Sequence, residues 1–228
     1  MSDATAPNLL QALLKEMPSF HGQEQAGTKN WGLVGDVLDW IVQHVPPNAR
    51  TLETGCGYST VAFSTVSQQH TVISPFSGEH ELIKKWGVAH GRAMDHVAFL
   101  AQSSTTVLPG YQSTHPQPLD VVLIDGGHEF PVPFIDWYYT AELVRKGGYL
   151  MVDDVQLPTG YILKDFLMAE TGRWAFVGQV RLTSMFRKVA ESPVVQGISW
   201  EDQPWCLRDF SVKGRIKRKL LKTLGRAK

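Results

Sequence analysis

Apolar positions along the chain alternate between two periods. Short runs in which nearly every residue is apolar or β-branched are separated by longer stretches with apolar residues three and four apart, the alternation that marks an α/β fold. Val34, Val37, Leu38, Ile41, Val42 and Val45 recur at helical spacing, and Pro46-Pro47 forbids continuation, which predicts a helix ending there. Arg50 to Glu53 reads as a strand that turns through Thr54-Gly55-Cys56-Gly57 into a helix from about Ser59 to Gln69. Thr71-Val72-Ile73 predicts a second strand, His80 to His90 a helix built on Leu82, Ile83 and Trp86, and Val97 to Leu100 a third strand. A stretch rich in Ser, Thr and Pro reads as a loop leading to Val121-Val122-Leu123-Ile124, a continuous apolar run of the kind buried on both faces of a parallel sheet. Ile135, Tyr138, Tyr139, Ala141, Leu143 and Val144 predict a helix stopped by Gly147-Gly148, followed by a buried strand from Tyr149 to Val152. A helix after Pro158-Thr159 carries Ile162, Leu163, Phe166 and Leu167, and Trp174 to Val180 and Thr183 to Val189 read as the last two strands.

The length of 228 residues with 43% hydrophobic composition suits one main folded core with terminal additions. Four segments follow: an N-terminal helical extension over 1–30, the main domain over 31–189, an irregular extension over 190–212 and a basic tail over 213–228. The first thirty residues lack the basic-then-apolar order of a secretory signal, and no window approaches the ~18 apolar residues of a membrane span, so a cytoplasmic protein is expected. Cys56 and Cys206 are the only cysteines, which excludes a disulfide framework and a CxxC zinc pair. Net charge is zero, yet Lys213 to Lys228 holds eight basic residues and no acid, leaving 14 basic against 22 acidic residues in 1–212. An acidic body argues against a nucleic-acid partner.

Glu53-Thr54-Gly55-Cys56-Gly57 lies where a first strand turns into a helix, and glycines there admit a ligand close to the backbone. A dinucleotide fingerprint would need GxGxxG, but its third position is Thr60, so the NAD reading is disfavoured. A plain βα turn without a ligand is the bland alternative. Glu53 speaks against it, because a half-buried carboxylate two residues before the first glycine needs a partner such as a ligand ammonium group. The stretch Thr51 to Thr60, TLETGCGYST, resembles motif I of class I S-adenosylmethionine-dependent methyltransferases, and Ile124-Asp125-Gly126-Gly127-His128 resembles the IDGGH segment on the fourth strand of one of their subgroups. The resemblance runs from about Trp31 to Val189. It implies a doubly wound Rossmann-like sheet of seven strands, mostly parallel with an antiparallel C-terminal strand. It also implies that Glu53 holds the amino group of the cofactor's methionine end, that Gly55 and Gly57 admit its carboxypropyl and ribose parts, and that Ser103 lies near the adenine. Cys56, Ser59, Thr60, Ser74 and Asp125 complete the implied cofactor site. Most members of the family carry an acid at the end of the second strand for the ribose hydroxyls. This chain has Ser74-Pro75 there, with Glu79 five residues on as a substitute.

Asp125 ends one predicted strand and Asp153-Asp154 the next, which brings three carboxylates to the rim where open α/β sheets bind ligands. Uncompensated carboxylates repel one another, and an all-oxygen set suits Mg²⁺. The spacing resembles metal-dependent O-methyltransferases of the catechol and macrolide-sugar kind. Asp153-Asp154 as a helix cap is the plain alternative. His128, three residues after Asp125, stands where related metal-dependent enzymes keep the base that removes the acceptor's hydroxyl proton. The reading is therefore transfer of a methyl group from S-adenosylmethionine to a hydroxyl of a small molecule or sugar, with Mg²⁺ assisting. A metal-independent methyltransferase and a non-catalytic binding module of the same fold are the rivals. Segments Phe130 to Trp137, Gln156 to Tyr161 and His21 to Trp31 are expected around the acceptor, with Trp31, Trp137 and Tyr161 as ring-stacking candidates. In the tail, Ile216, Leu220, Leu221 and Leu224 share a helical face surrounded by Lys and Arg, which suits an anionic membrane surface or an acidic partner. A solvated terminus, or a helix docked on the acidic body, is the alternative.

Overall fold

A computed structural model describes residues 6–21, 35–191, 195 and 197–223. Trp31, Val34, Pro193 and Leu224 lie outside the described residues.

In chain order the elements are α1 (Ala6–Glu16), α2 (Gly35–His44), β1 (Ala49–Thr54), α3 (Tyr58–Val66), β2 (Ser67–Ile73), α4 (Ser77–Ala89), β3 (Val97–Leu100), α5 (Ser104–Thr114), β4 (Leu119–Ile124), α6 (Val132–Thr140), β5 (Val144–Val152), α7 (Pro158–Ala169), β6 (Trp174–Val180), β7 (Thr183–Lys188) and α8 (Val212–Thr223). The sheet order is β3-β2-β1-β4-β5-β7-β6. Strands β1 to β5 pair in parallel, whereas β7 is antiparallel to both β5 and β6. Only Arg181 and Leu182 separate β6 from β7, and so short a connection joins antiparallel strands alone.

Side chains alternate across each strand, so one strand feeds two cores. Val121 and Leu123 of β4 and Met151 of β5 join the cluster under α1, α2 and α3, while Val122, Ile124, Leu150 and Val152 join the cluster that includes Leu108, Trp137 and Leu163 from α5, α6 and α7. Leu9, Leu10 and Leu13 of α1 are buried in the first cluster, so this N-terminal helix completes a face of the sheet.

Three elements depart from the reading of the sequence. Helix α3 stops at Val66, and β2 begins at Ser67 rather than Thr71. Ser67 and His70 look like surface residues but both meet the Thr51 hydroxyl of β1, at 2.7 and 2.8 Å. The Ser, Thr and Pro stretch before β4 is not a loop but α5, held by Leu108 and Tyr111 against the sheet despite Pro109 inside it. Gly147-Gly148 does not end a helix. Helix α6 stops at Thr140, and the glycines lie inside β5 where its register against β4 shifts. There a Cβ on Gly148 would lie 2.7 Å from the Asp120 carbonyl oxygen, so the bulge fits only without a side chain.

Candidate active site

Strand β1 has β2 on one side and β4 on the other, so the order in which parallel strands are added to the sheet reverses between β1 and β4, and a crevice opens at their carboxyl ends. The two loops that leave this point touch backbone to backbone. Gly55 has φ of 90°, and a Cβ there would stand 2.1 Å from the carbonyl oxygen of Asp125; a Cβ on Gly126 would come within 3.2 Å of the Thr54 side chain. A cavity of about 470 Å³ lies above them. Its walls are Thr54, Gly55 and Cys56 after β1, Ile73 to Phe76 after β2, Glu79 of α4, Ser103 and Ser104 at the start of α5, and Asp125 to Glu129 after β4. His21, Val132 and Asp154 complete the lining.

Glu53 sits behind this cavity, fully buried. Its Oε1 accepts from the Thr60 hydroxyl and pairs with His70 Nε2 at 3.1 Å, and His70 Nδ1 in turn meets Thr51. Thr60 Oγ1 also accepts from the backbone N–H of Gly57 at 3.0 Å, which ties the glycine loop to the same carboxylate. Glu53 Oε2 has no hydrogen-bond partner among the described residues. Buried carboxylate oxygens are stable when bonded, so a ligand ammonium group or a bridging water fits this one.

Asp125, His128 and Asp154 converge at the rim, with one potential ligand atom from each lying within 4.8 Å of the others. Burial, with the charges of Asp153, Glu53 and Asp154, pushes the Asp125 carboxyl well above the usual carboxylate range. Asp153 is also pushed up by burial, although the Thr183 hydroxyl that donates to its Oδ1 pulls the other way. His128 Nε2 lies 3.0 Å from Asp154 Oδ2, and this hydrogen bond raises the imidazole pKa while lowering that of Asp154. Asp154 Oδ1 accepts from Gln156 Nε2 at 2.6 Å. Backbone strain accompanies this arrangement, because Asp154 has φ of 50°. Helix α7 holds the rim from below: Thr159 Oγ1 donates to the His128 carbonyl at 2.5 Å, and a Cβ on Gly160 would lie 2.6 Å from the Asp154 carbonyl oxygen. The donor set fits a divalent cation, which Asp125 and Asp154 would hold and whose charge would relieve the crowding at Asp125.

Of the residues singled out in the sequence, Gly55, Cys56, Ser74, Ser103, Asp125, His128 and Asp154 line the cavity. Glu53, Gly57, Ser59, Thr60 and Asp153 stand behind its lining. Glu79 does reach the wall, where its carboxylate pairs with His21 Nδ1 at 3.2 Å and accepts from Cys56 Sγ at 3.3 Å. Burial pushes the Cys56 thiol up, so it is an inert wall group and not a nucleophile. Trp137 packs in the core, edge-on to Phe166, and Tyr161 is an exposed residue of α7, whereas Phe76 supplies an aromatic ring to the cavity wall. Asp136 escaped the sequence reading. It is fully buried on α6, where the Ser104 and Thr54 hydroxyls stand near enough to lower its pKa but neither meets hydrogen-bond geometry with its carboxylate oxygens, and burial outweighs them and pushes the pKa up to about 6. Its only sequence signal was an acid among apolar helix positions.

A family model described as a methyltransferase domain matches residues 52–155, the span that holds the glycine loop, the rim acids and His128. No curated protein matches the chain. Among solved structures, the O-methyltransferase TomG from Streptomyces achromogenes, involved in tomaymycin synthesis and bound to S-adenosylmethionine, superposes with a TM-score of 0.59 at 16% identity, over 83% of this chain and 92% of TomG. The fold is that of a Rossmann-like methyltransferase. An rRNA methylase from Streptococcus thermophilus gives 0.54 at 8% identity, over 68% and 95% of the two chains. Precorrin 8w decarboxylase from Methanobacterium thermoautotrophicum gives 0.52 at 13% identity, over 70% and 91%. The differing activities of proteins that share this methyltransferase fold leave the reaction to the site itself.

Proposed function

We propose that the protein is an S-adenosylmethionine-dependent methyltransferase acting on a hydroxyl of a small molecule or sugar. The observation that carries this reading is the shared cavity: the Gly55 loop and the Asp125, His128 and Asp154 cluster line one space of about 470 Å³. The cofactor, when bound, supplies an electrophilic methyl group. Glu53 Oε2 is the acceptor offered to its amino group, Gly55 leaves room for its chain, and Ser103 borders the adenine side. Glu79 stands beside Ser74 as the carboxylate for the ribose hydroxyls. Asp125 and Asp154 are the residues that would hold Mg²⁺, which supplies positive charge beside the acceptor oxygen. His128 takes the hydroxyl proton, and Asp154 orients its ring. An acidic body and an inset cavity favour a small acceptor over RNA.

A metal-independent variant of this reading has its own support. Both oxygens of Asp154 are engaged, by His128 and by Gln156, which makes a base and orienting acid without a cation. Nε2–H then donates to Asp154, and Nδ1 accepts the acceptor's proton.

The test is calorimetric titration of S-adenosylmethionine and its demethylated product, with Mg²⁺ and then with EDTA, followed by acceptor screening with sugars and phenols. Binding of either ligand is expected. If neither binds, the reading fails and a non-catalytic module of this fold takes its place. Turnover lost in EDTA supports the metal; turnover retained supports the His128 and Asp154 pair alone. His128→Ala is expected to lower turnover at saturating acceptor about 10²- to 10⁴-fold with cofactor affinity unchanged.

A further inference from the structure

After β7 the chain leaves from the edge of the sheet opposite the cavity, because β7 runs antiparallel and its Ser184 end pairs with Val152 at the rim. The extension is then pinned to the end of α6 and to α7. The Val195 N–H donates to Glu142 Oε1 at 2.8 Å, the Trp205 N–H donates to Glu170 Oε1 at 3.0 Å, and Arg208 Nη1 donates to Asp165 Oδ2 at 2.6 Å. Helix α8 follows. Its Gly214 is buried, with space for a Cβ closed by Asp209 at 2.3 Å. Val212, Ile216 and Leu220 lie four residues apart, on the side of the helix away from Gly214, and are 67%, 55% and 57% exposed. Three branched apolar side chains more than half in water are uncommon on a folded surface without a partner.

The same segment has eight Lys or Arg between 213 and 228 and no acid. A stripe of this kind within a cationic helix has low overall hydrophobicity and one apolar edge, the composition of a helix that lies in a membrane interface. We propose that α8 anchors the protein to an anionic lipid surface, with Val212, Ile216 and Leu220 entering the headgroup boundary and the surrounding Lys and Arg contacting lipid phosphates. Apolar burial and charge attraction are the two signals that stable anchoring requires. Nucleic acid would engage the cations but has no use for an aliphatic stripe. A second copy of the helix would bring like charge against like charge. Docking on the acidic body would turn the stripe inward, whereas it faces solvent. Nothing in the proposal depends on which reaction the cavity performs.

The full chain is tested by co-sedimentation with vesicles of phosphatidylcholine alone and of phosphatidylcholine mixed with phosphatidylserine, at low and high salt. Binding is expected to the mixed vesicles alone, to weaken steeply with salt, and to persist in inorganic phosphate at matched ionic strength. The double substitution I216E and L220E is expected to reduce that binding at least about tenfold while circular dichroism and melting temperature stay those of the parent. A chain ending at Ser211 serves as the second variant and is expected to lose the same binding. The proposal is overturned if the parent protein does not sediment with the mixed vesicles at low salt, or if the double variant binds as well as the parent. It is equally overturned if the parent forms a dimer that the double substitution dissociates, since the stripe then belongs to a second copy.

Discussion

Asp136 shows what a single buried charge costs this protein. Its carboxyl is raised from an ordinary 3.8 to about 6, so the folded state holds a proton that the unfolded chain has already released. The favourable contribution is therefore full below about pH 4, declines as pH rises from there through about 6, and is absent above. At neutral pH the ionised form is a liability of up to about 3 kcal/mol, since each tenfold change in a protonation equilibrium corresponds to about 1.4 kcal/mol. Asp136→Asn is expected to stabilise the protein by up to that amount at pH 7 and to flatten the slope between about pH 4 and 6, as read from urea unfolding. A variant destabilised at every pH would show that the carboxylate has a favourable partner in the working protein. Gly55 is the opposite case, a residue whose lack of a side chain is required. Gly55→Ala places a methyl group 2.1 Å from the Asp125 carbonyl at a left-handed φ, and a loss of roughly 1–3 kcal/mol is expected, with cofactor binding weakened because both loops must shift.

Among the elements, α1 and α7 matter most to the site. Helix α1 reads in the sequence as part of an appended extension, yet Leu13 is fully buried against the sheet face that carries α2 and α3. Leu13→Ala is expected to cost about 2–5 kcal/mol in chemical denaturation, the range for core cavities; a cost near zero would mean that α1 is dispensable. The chain after α1 brings His21 to the cavity wall, so a loosened α1 is expected to weaken ligand binding as well. Helix α7 begins at Pro158, whose fixed φ suits a first helical turn, and its Gly160 lets that turn abut the Asp154 carbonyl. Pattern alone placed this helix and most strands correctly. It failed at Ser67 to His70, whose partners Thr51 and Glu53 stand on β1, and at α5, whose buried Tyr111 hydroxyl meets Thr71 of β2, because no local window contains these contacts.

At the scale of the whole molecule, the cavity and the end of β7 lie at opposite ends of the strands of one sheet. The cavity opens at the carboxyl ends of β1 and β4, and the segment that leads to the basic helix leaves the sheet at the far end of β7. A chain ending at Ser211 is accordingly expected to keep the melting temperature and the S-adenosylmethionine affinity of the full chain; a large loss of either would show that α8 supports the domain. In both forms, cofactor at about one hundred times its dissociation constant is expected to add about 2.7 kcal/mol of stability, readable as a rise in melting temperature. The linear chain by itself determined the strand-turn-helix around Gly55, the apolar runs of β4 and β5, the acids at their ends and the charge of the tail, because each of these is written in neighbouring residues. Only the tertiary structure decided that Glu53 stands behind the cavity with His70, that His128 meets Asp154 and not Asp153, that Glu79 reaches the wall and that Asp136 is buried with neither carboxylate oxygen hydrogen-bonded among the described residues. Those relations join residues far apart in the chain, and they exist only once parallel strands are in register and the loops above them have packed.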